Sequence, residues 1–158
     1  MRKIPWGVIS FCLWAATVSV FGYFFIFGNT SVSKDGRTSI RLTEDEKLLV
    51  LTEMRGLLTS VNGMLAALAE DDYAKAEVAA SASGMALVES LEHEEKKILV
   101  KLPIEFKQLG FGTHRQFDTI ATLLKQKKDL KIILKEMDNL TKNCVACHAA
   151  YKIEEMHK

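Results

Sequence analysis

The run Cys144-Val145-Ala146-Cys147-His148 sets two thiols three positions apart, with an imidazole directly after the second. Thiols at this spacing can form thioether bonds to both vinyl groups of a haem while the histidine binds the iron axially. The expected cofactor is therefore one covalently attached haem c, held by Cys144 and Cys147 with His148 on the iron. Two other chemistries use similar residues. Structural zinc needs four nitrogen or sulfur ligands. Cys12 lies in a distant hydrophobic segment, so only His157 could complete such a set, and zinc stays open on that residue alone. A redox dithiol sits where a strand enters a helix, its thiolate stabilised by the helix N-terminus. Here the pair ends a long helical pattern instead.

A haem held at one end of a helix needs other elements to cover it, and the pattern upstream is helical. Thr43-Glu44-Asp45-Glu46 is a capping box. From it runs the stripe Leu51, Met54, Leu58, Val61, Leu65, Leu68, spaced as one helix face, so helix A is expected over about 43–70. Asp71-Asp72 can cap helix B from Tyr73, whose small-residue face includes Ala76, Ala79-Ala80 and Ala82 and which fades around Lys96-Lys97. Pro103, Gly110 and Gly112 mark 99–112 as a connection with a short helical turn after the proline. Helix C is expected from Thr113 to Lys128. Asp129 caps helix D, with Leu130, Ile133-Leu134, Met137, Leu140 and Cys144 inward. With no strand signal, the expected fold class is all-α, an antiparallel four-helix bundle preceded by a single transmembrane helix.

That preceding helix is Ile4 to Phe27, 24 residues without a charge after Met1-Arg2-Lys3. At about 1.5 Å per residue it can cross a hydrocarbon core of about 30 Å. A cleaved signal peptide is the rival, but its apolar region is shorter, about 7–15 residues, and ends in a small-x-small site that is missing here. Trp6 and Tyr23 lie near the two ends, where amphipathic rings favour the interface. Arg2 and Lys3 should stay cytoplasmic by the positive-inside rule, which sends the rest of the chain across the membrane. Cysteine-linked haem attachment belongs on that oxidising side. Residues 1–28 thus read as an anchor, 29–42 as a polar linker and 43–158 as the bundle domain. A net charge of +1 and a pI near 7.7 give no footprint for nucleic acid. The lysines around 125–131 read as a solvated bundle end, and Lys142 and Lys152 offer a weak guide for an acidic partner.

Four helices with Cys-x-x-Cys-His near the end of the last one resemble the class II c-type cytochromes, the cytochrome c-prime group and its low-spin, methionine-ligated relatives. The resemblance covers about Leu48 to Ile153. It includes Met54-Arg55, Leu68-Ala69-Glu70-Asp71, Leu102-Pro103, Gly110-Phe111-Gly112-Thr113-His114-Arg115 and Cys144 through Lys152. It implies a monohaem electron carrier in which helix A supplies a methionine to the iron and a nearby arginine reaches a propionate. Members are typically exported without a retained anchor, so the apolar start departs from the pattern.

Bundle geometry points the same way, because the start of helix A and the end of helix D lie at one end. Met54 is on the inward stripe there, while Met64 is about 15 Å further along. The expected metal ligands are His148 and Met54, with Arg55 as a further cofactor-binding residue. Core filler is the plain alternative for Met54, and a solvated position that for Arg55. His114, at the expected start of helix C, is a second candidate ligand or a solvated residue. His93 reads as a surface position. The expected protein is a periplasmic cytochrome anchored in a bacterial inner membrane, serving redox partner proteins in or at that membrane. Two alternatives stand beside it: a five-coordinate binder or sensor of small gases, and a fixed haem subunit of a respiratory or photosynthetic complex. Gly7, Gly22 and Ala15-Ala16 would permit close helix contact in such a complex. Homodimerisation through helices A and B is implied by the resemblance. No nucleophile with a positioned base and no phosphate loop points to an enzyme.

Overall fold

The computed structural model describes residues 5–91 and 96–156. Arg2, Lys3, His93 and His157, each given a role above, lie outside them. Helix α1 (Trp6–Phe27) buries none of its residues and is long and apolar enough to cross a membrane. After it come strands β1 (Thr30–Val32) and β2 (Thr38–Leu42), then helices α2 (Glu44–Ala69), α3 (Tyr73–Ser81) and α4 (Met85–Ser90). A 3-10 turn at Lys97–Val100 leads to α5 (Ile104–Lys125), α6 (Leu130–Ala150) and a final strand β3 (Tyr151–Glu155).

The helix starts follow local chemistry. Thr43 Oγ1 accepts from Glu46 N–H while the Glu46 carboxylate accepts from Thr43 N–H at 2.9 Å, the reciprocal cap expected for α2. Asp72 caps α3 by accepting from Lys75 N–H, and Asp129 does the same for α6 through Lys131 N–H. The helices pack in sequence, α3 against both α2 and α5, and α6 against α5. Their shared core includes Met64, Phe117, Ile120, Leu124, Ile133 and Leu140. Each such side chain contributes about 1.5–3 kcal/mol by leaving water.

Four expectations are corrected. The stretch 29–42 is not a bare linker, and strands do occur. β2 pairs antiparallel with β1 and parallel with β3, and its Ile40 and Leu42 are fully buried in a second core with Val50, Ile98, Leu102 and Tyr151. The inward face of α2 is turned from the expected stripe: Val50, Leu57, Ser60, Met64, Ala67 and Leu68 are buried, whereas Leu51, Leu58 and Leu65 are exposed. Helix B is broken at 82–84. Gly84 begins α4 where any Cβ would collide with the Asp118 carboxylate, which accepts from Met85 N–H at 3.0 Å. Finally, α5 begins at Ile104 rather than Thr113 and runs through Gly110 and Gly112. Two helical glycines cost about 1 kcal/mol each. Packing of Phe106 and Leu109 on the second core offsets that cost.

Candidate haem site

The two cores flank a cavity of about 510 Å³, within the roughly 300–1,000 Å³ range of cofactor pockets. Helix α6 continues unbroken through the cysteine motif to Ala150. Cys144, Cys147 and His148 therefore stand at positions i, i+3 and i+4 on one helix face, and all three line the cavity. Opposite them α2 contributes Met54 and Arg55, so all five expected site residues meet at one space. Met54 touches both cores and is the only methionine among the described lining residues, whereas Met64 is wholly buried in the first core. Arg55 is exposed and its guanidinium donates to Thr52 Oγ1 at 2.8 Å.

The walls suit a flat apolar macrocycle. Leu51 and Leu58, 38% and 68% exposed, are left open to solvent because they line this cavity instead of packing on a neighbouring helix. Gly110 also lines it, and a Cβ there would meet nothing within 4 Å. A tetrapyrrole with an iron asks for thiols, an imidazole, a thioether and apolar walls, and these are the groups present. The cysteines are free thiols, and burial pushes both above the usual thiol range, opposite to the activated thiolate of a redox dithiol. Among the described residues no three His, Cys, Asp or Glu side chains are gathered to hold a metal ion.

His114 is neither solvated nor at a helix start. It is 3% exposed in the middle of α5, and both ring nitrogens are engaged, Nδ1 with the Ser83 carbonyl at 2.8 Å and Nε2 with Glu53 at 2.7 Å. Burial pulls its pKa down, but the Glu53 carboxylate and the Ser83 carbonyl outweigh burial and leave it above the ordinary imidazole range. The Ser83 hydroxyl is 2.7 Å from that of Ser60, so one polar network joins α2, the 82–84 break and α5, and its Glu53 and His114 are part of the cavity wall. Ser81-Ala82-Ser83-Gly84, a run of small residues inside an otherwise helical pattern, was the sequence signal for that break. Glu53 and Ser83 themselves carry no such mark.

Behind His148 the hairpin joining β1 and β2 is fastened down. Asp35 holds the Arg37 guanidinium at 2.7 Å, and Arg37 donates to the His148 carbonyl at 3.3 Å. Tyr151 stacks edge-on with Phe106 at 5.4 Å and its hydroxyl donates to Glu105 at 3.1 Å. Burial and that carboxylate raise the phenol to about 12. The junction of α6 and β3, just after the cysteine motif, is thus clamped from two sides. No family model, curated protein or solved structure matches the chain.

Proposed function

We propose that this protein is a membrane-anchored, single-haem c-type cytochrome that carries electrons. The observation that carries this reading is the meeting of Cys144, Cys147, His148 and Met54 at one apolar cavity. Cys144 and Cys147 would hold the porphyrin, His148 would bind the iron and Met54 would complete a low-spin centre, with Arg55 placed to meet a propionate. A haem with one histidine and one thioether cycles between oxidation states with a raised potential, which is the chemistry the bound group supplies. The protein's part is to exclude water with Leu51, Leu58 and Phe106 and to fix both ligands on packed helices.

The helices α2, α3 with α4, α5 and α6 fit an antiparallel four-helix bundle of the class II cytochrome kind, here with a short sheet added at one end. The apolar α1 supports anchoring. The positive-inside rule places the domain outside the cytoplasm, in the periplasm of a bacterial cell. With both nitrogens of His114 engaged, Met54 is preferred as sixth ligand.

Optical spectra of the purified protein test this. A covalently bound haem should show the weak red charge-transfer band of thioether-ligated ferric iron, and Met54→Ala should abolish it while the haem stays attached. High-spin spectra in both proteins, with a carbon monoxide shift on reduction, would reject the methionine ligand and favour a gas binder. Absence of covalent haem from protein made with a c-type maturation system would reject the reading itself.

A further inference from the structure

Helix α1 does not swing free of the domain. Gly28 closes it at φ +67°, with its α-carbon so near the backbone of 101–103 that a side chain would collide with the Lys101 carbonyl. Asn29 N–H donates to that same carbonyl at 2.7 Å. The last carbonyls of a helix have no partner within it. Here the domain supplies partners: the Lys107 ammonium donates to the Phe25 carbonyl at 2.9 Å and sits 4.0 Å over the Phe25 ring, and Thr30 Oγ1 donates to the Phe27 carbonyl. Lys107 is a buried cation, and the groups it meets are one backbone oxygen and one aromatic face.

Depth follows from the helix rise. Phe25 lies three residues inside Gly28, about 4.5 Å down the axis. The first turn of α5 therefore stands level with the last turn of the apolar helix rather than above it. Beside it, Val100 is 59% exposed at the end of the 3-10 turn. The Lys107 ammonium on the Phe25 carbonyl and ring ties this corner of the domain to the end of the span, and exposed Val100 stands beside that tie.

We propose that Val100, exposed beside the end of α1, contacts lipid and seats this corner of the domain on the bilayer. It rests on the reading of α1 as a membrane anchor. The seat holds the haem cavity, whose wall includes Leu102 and Phe106, in the half of the domain nearest the membrane. Electron exchange is thereby directed to partners embedded in the same bilayer.

The test is photo-crosslinking of the full chain in native membranes, with a benzophenone amino acid replacing Val100 in one protein and Gln126, in the turn between α5 and α6, in another. Lipid adducts read by mass spectrometry should be several-fold more abundant at 100 than at 126. Lys107→Gln, which keeps a donor but removes the cation, should lower the adduct at 100. Equal, near-zero lipid adducts at both positions in membrane-bound protein would overturn the seating. Recovery of the chain in the soluble fraction would instead reject the anchor.

Discussion

His114 is the residue whose removal should be felt furthest from its own position. As an imidazolium it donates to both the Ser83 carbonyl and the Glu53 carboxylate, and its folded pKa lies above the ordinary value of about 6.5. The stability it contributes is therefore complete below about pH 6.5 and is lost as pH rises through the folded value. Urea midpoints should fall over that window, and His114→Phe should flatten the slope; a flat wild-type profile would rule the linkage out. His114→Ala should cost about 1.5–3 kcal/mol, the range for a hydrogen bond to a charged group. The sequence offered His114 as a candidate iron ligand or a solvated residue, with neither Glu53 nor Ser83 as its partner. Its burial depends on the 82–84 break, which points a free carbonyl at it, and no local pattern in 113–115 encodes that. Cys144, Cys147, His148 and Met54 were legible because their spacing and helix faces are local properties, and the cavity collects them from elements that local patterns specify.

At the scale of elements, capping was legible and continuity was not. Thr43, Asp72 and Asp129 act through bonds two or three residues away, so their helices start where the sequence places them. The break between α3 and α4 depends on Asp118 from another helix, and the unbroken run of α5 through two glycines depends on tertiary packing. Gly84→Ala should push the Asp118 carboxylate off Met85 N–H and destabilise the domain by about 1–3 kcal/mol, as overpacking does. Denaturant titration measures it, and an unchanged midpoint would mean that the close approach is absent in solution. The turned face of α2 has a similar cause: Leu51 and Leu58 are as apolar as Leu57 and all three line the cavity, but only Leu57 also packs in the first core. If haem fills the cavity as proposed, its removal should expose a broad apolar surface, seen as increased binding of a hydrophobic dye by apoprotein relative to holoprotein.

The whole molecule divides unevenly in its dependence on α1. That helix buries nothing of itself, and its ties to the domain are those at Phe25, Phe27 and Gly28. A chain starting at Asn29, exported by an unrelated cleavable signal, should be recovered in the soluble fraction with its helical circular dichroism kept and a modestly lowered melting temperature. Unfolding of that shortened chain would show that the Lys107 contact is a structural support of the domain as well as a seat. Residues 29–42 disguised themselves because Ile40 and Leu42 are apolar positions in a polar run, and their strand is completed on one side by β1 and on the other by β3, which follows the last helix.

That pairing orders the assembly of the protein in time. Thr38 through Leu42 emerge before the helices of the domain and match Tyr151 through Glu155, which emerge after them. Until β3 arrives, one edge of β2 offers unpaired N–H and C=O groups to any passing strand. Cys144, Cys147 and His148 shortly precede β3, so on the proposed reading a chain translocated from its N-terminal end would present these residues just before the segment that completes the sheet. Any attachment of a haem to them during translocation would meet a domain whose second core is still open, and β3 would shut the fold behind it.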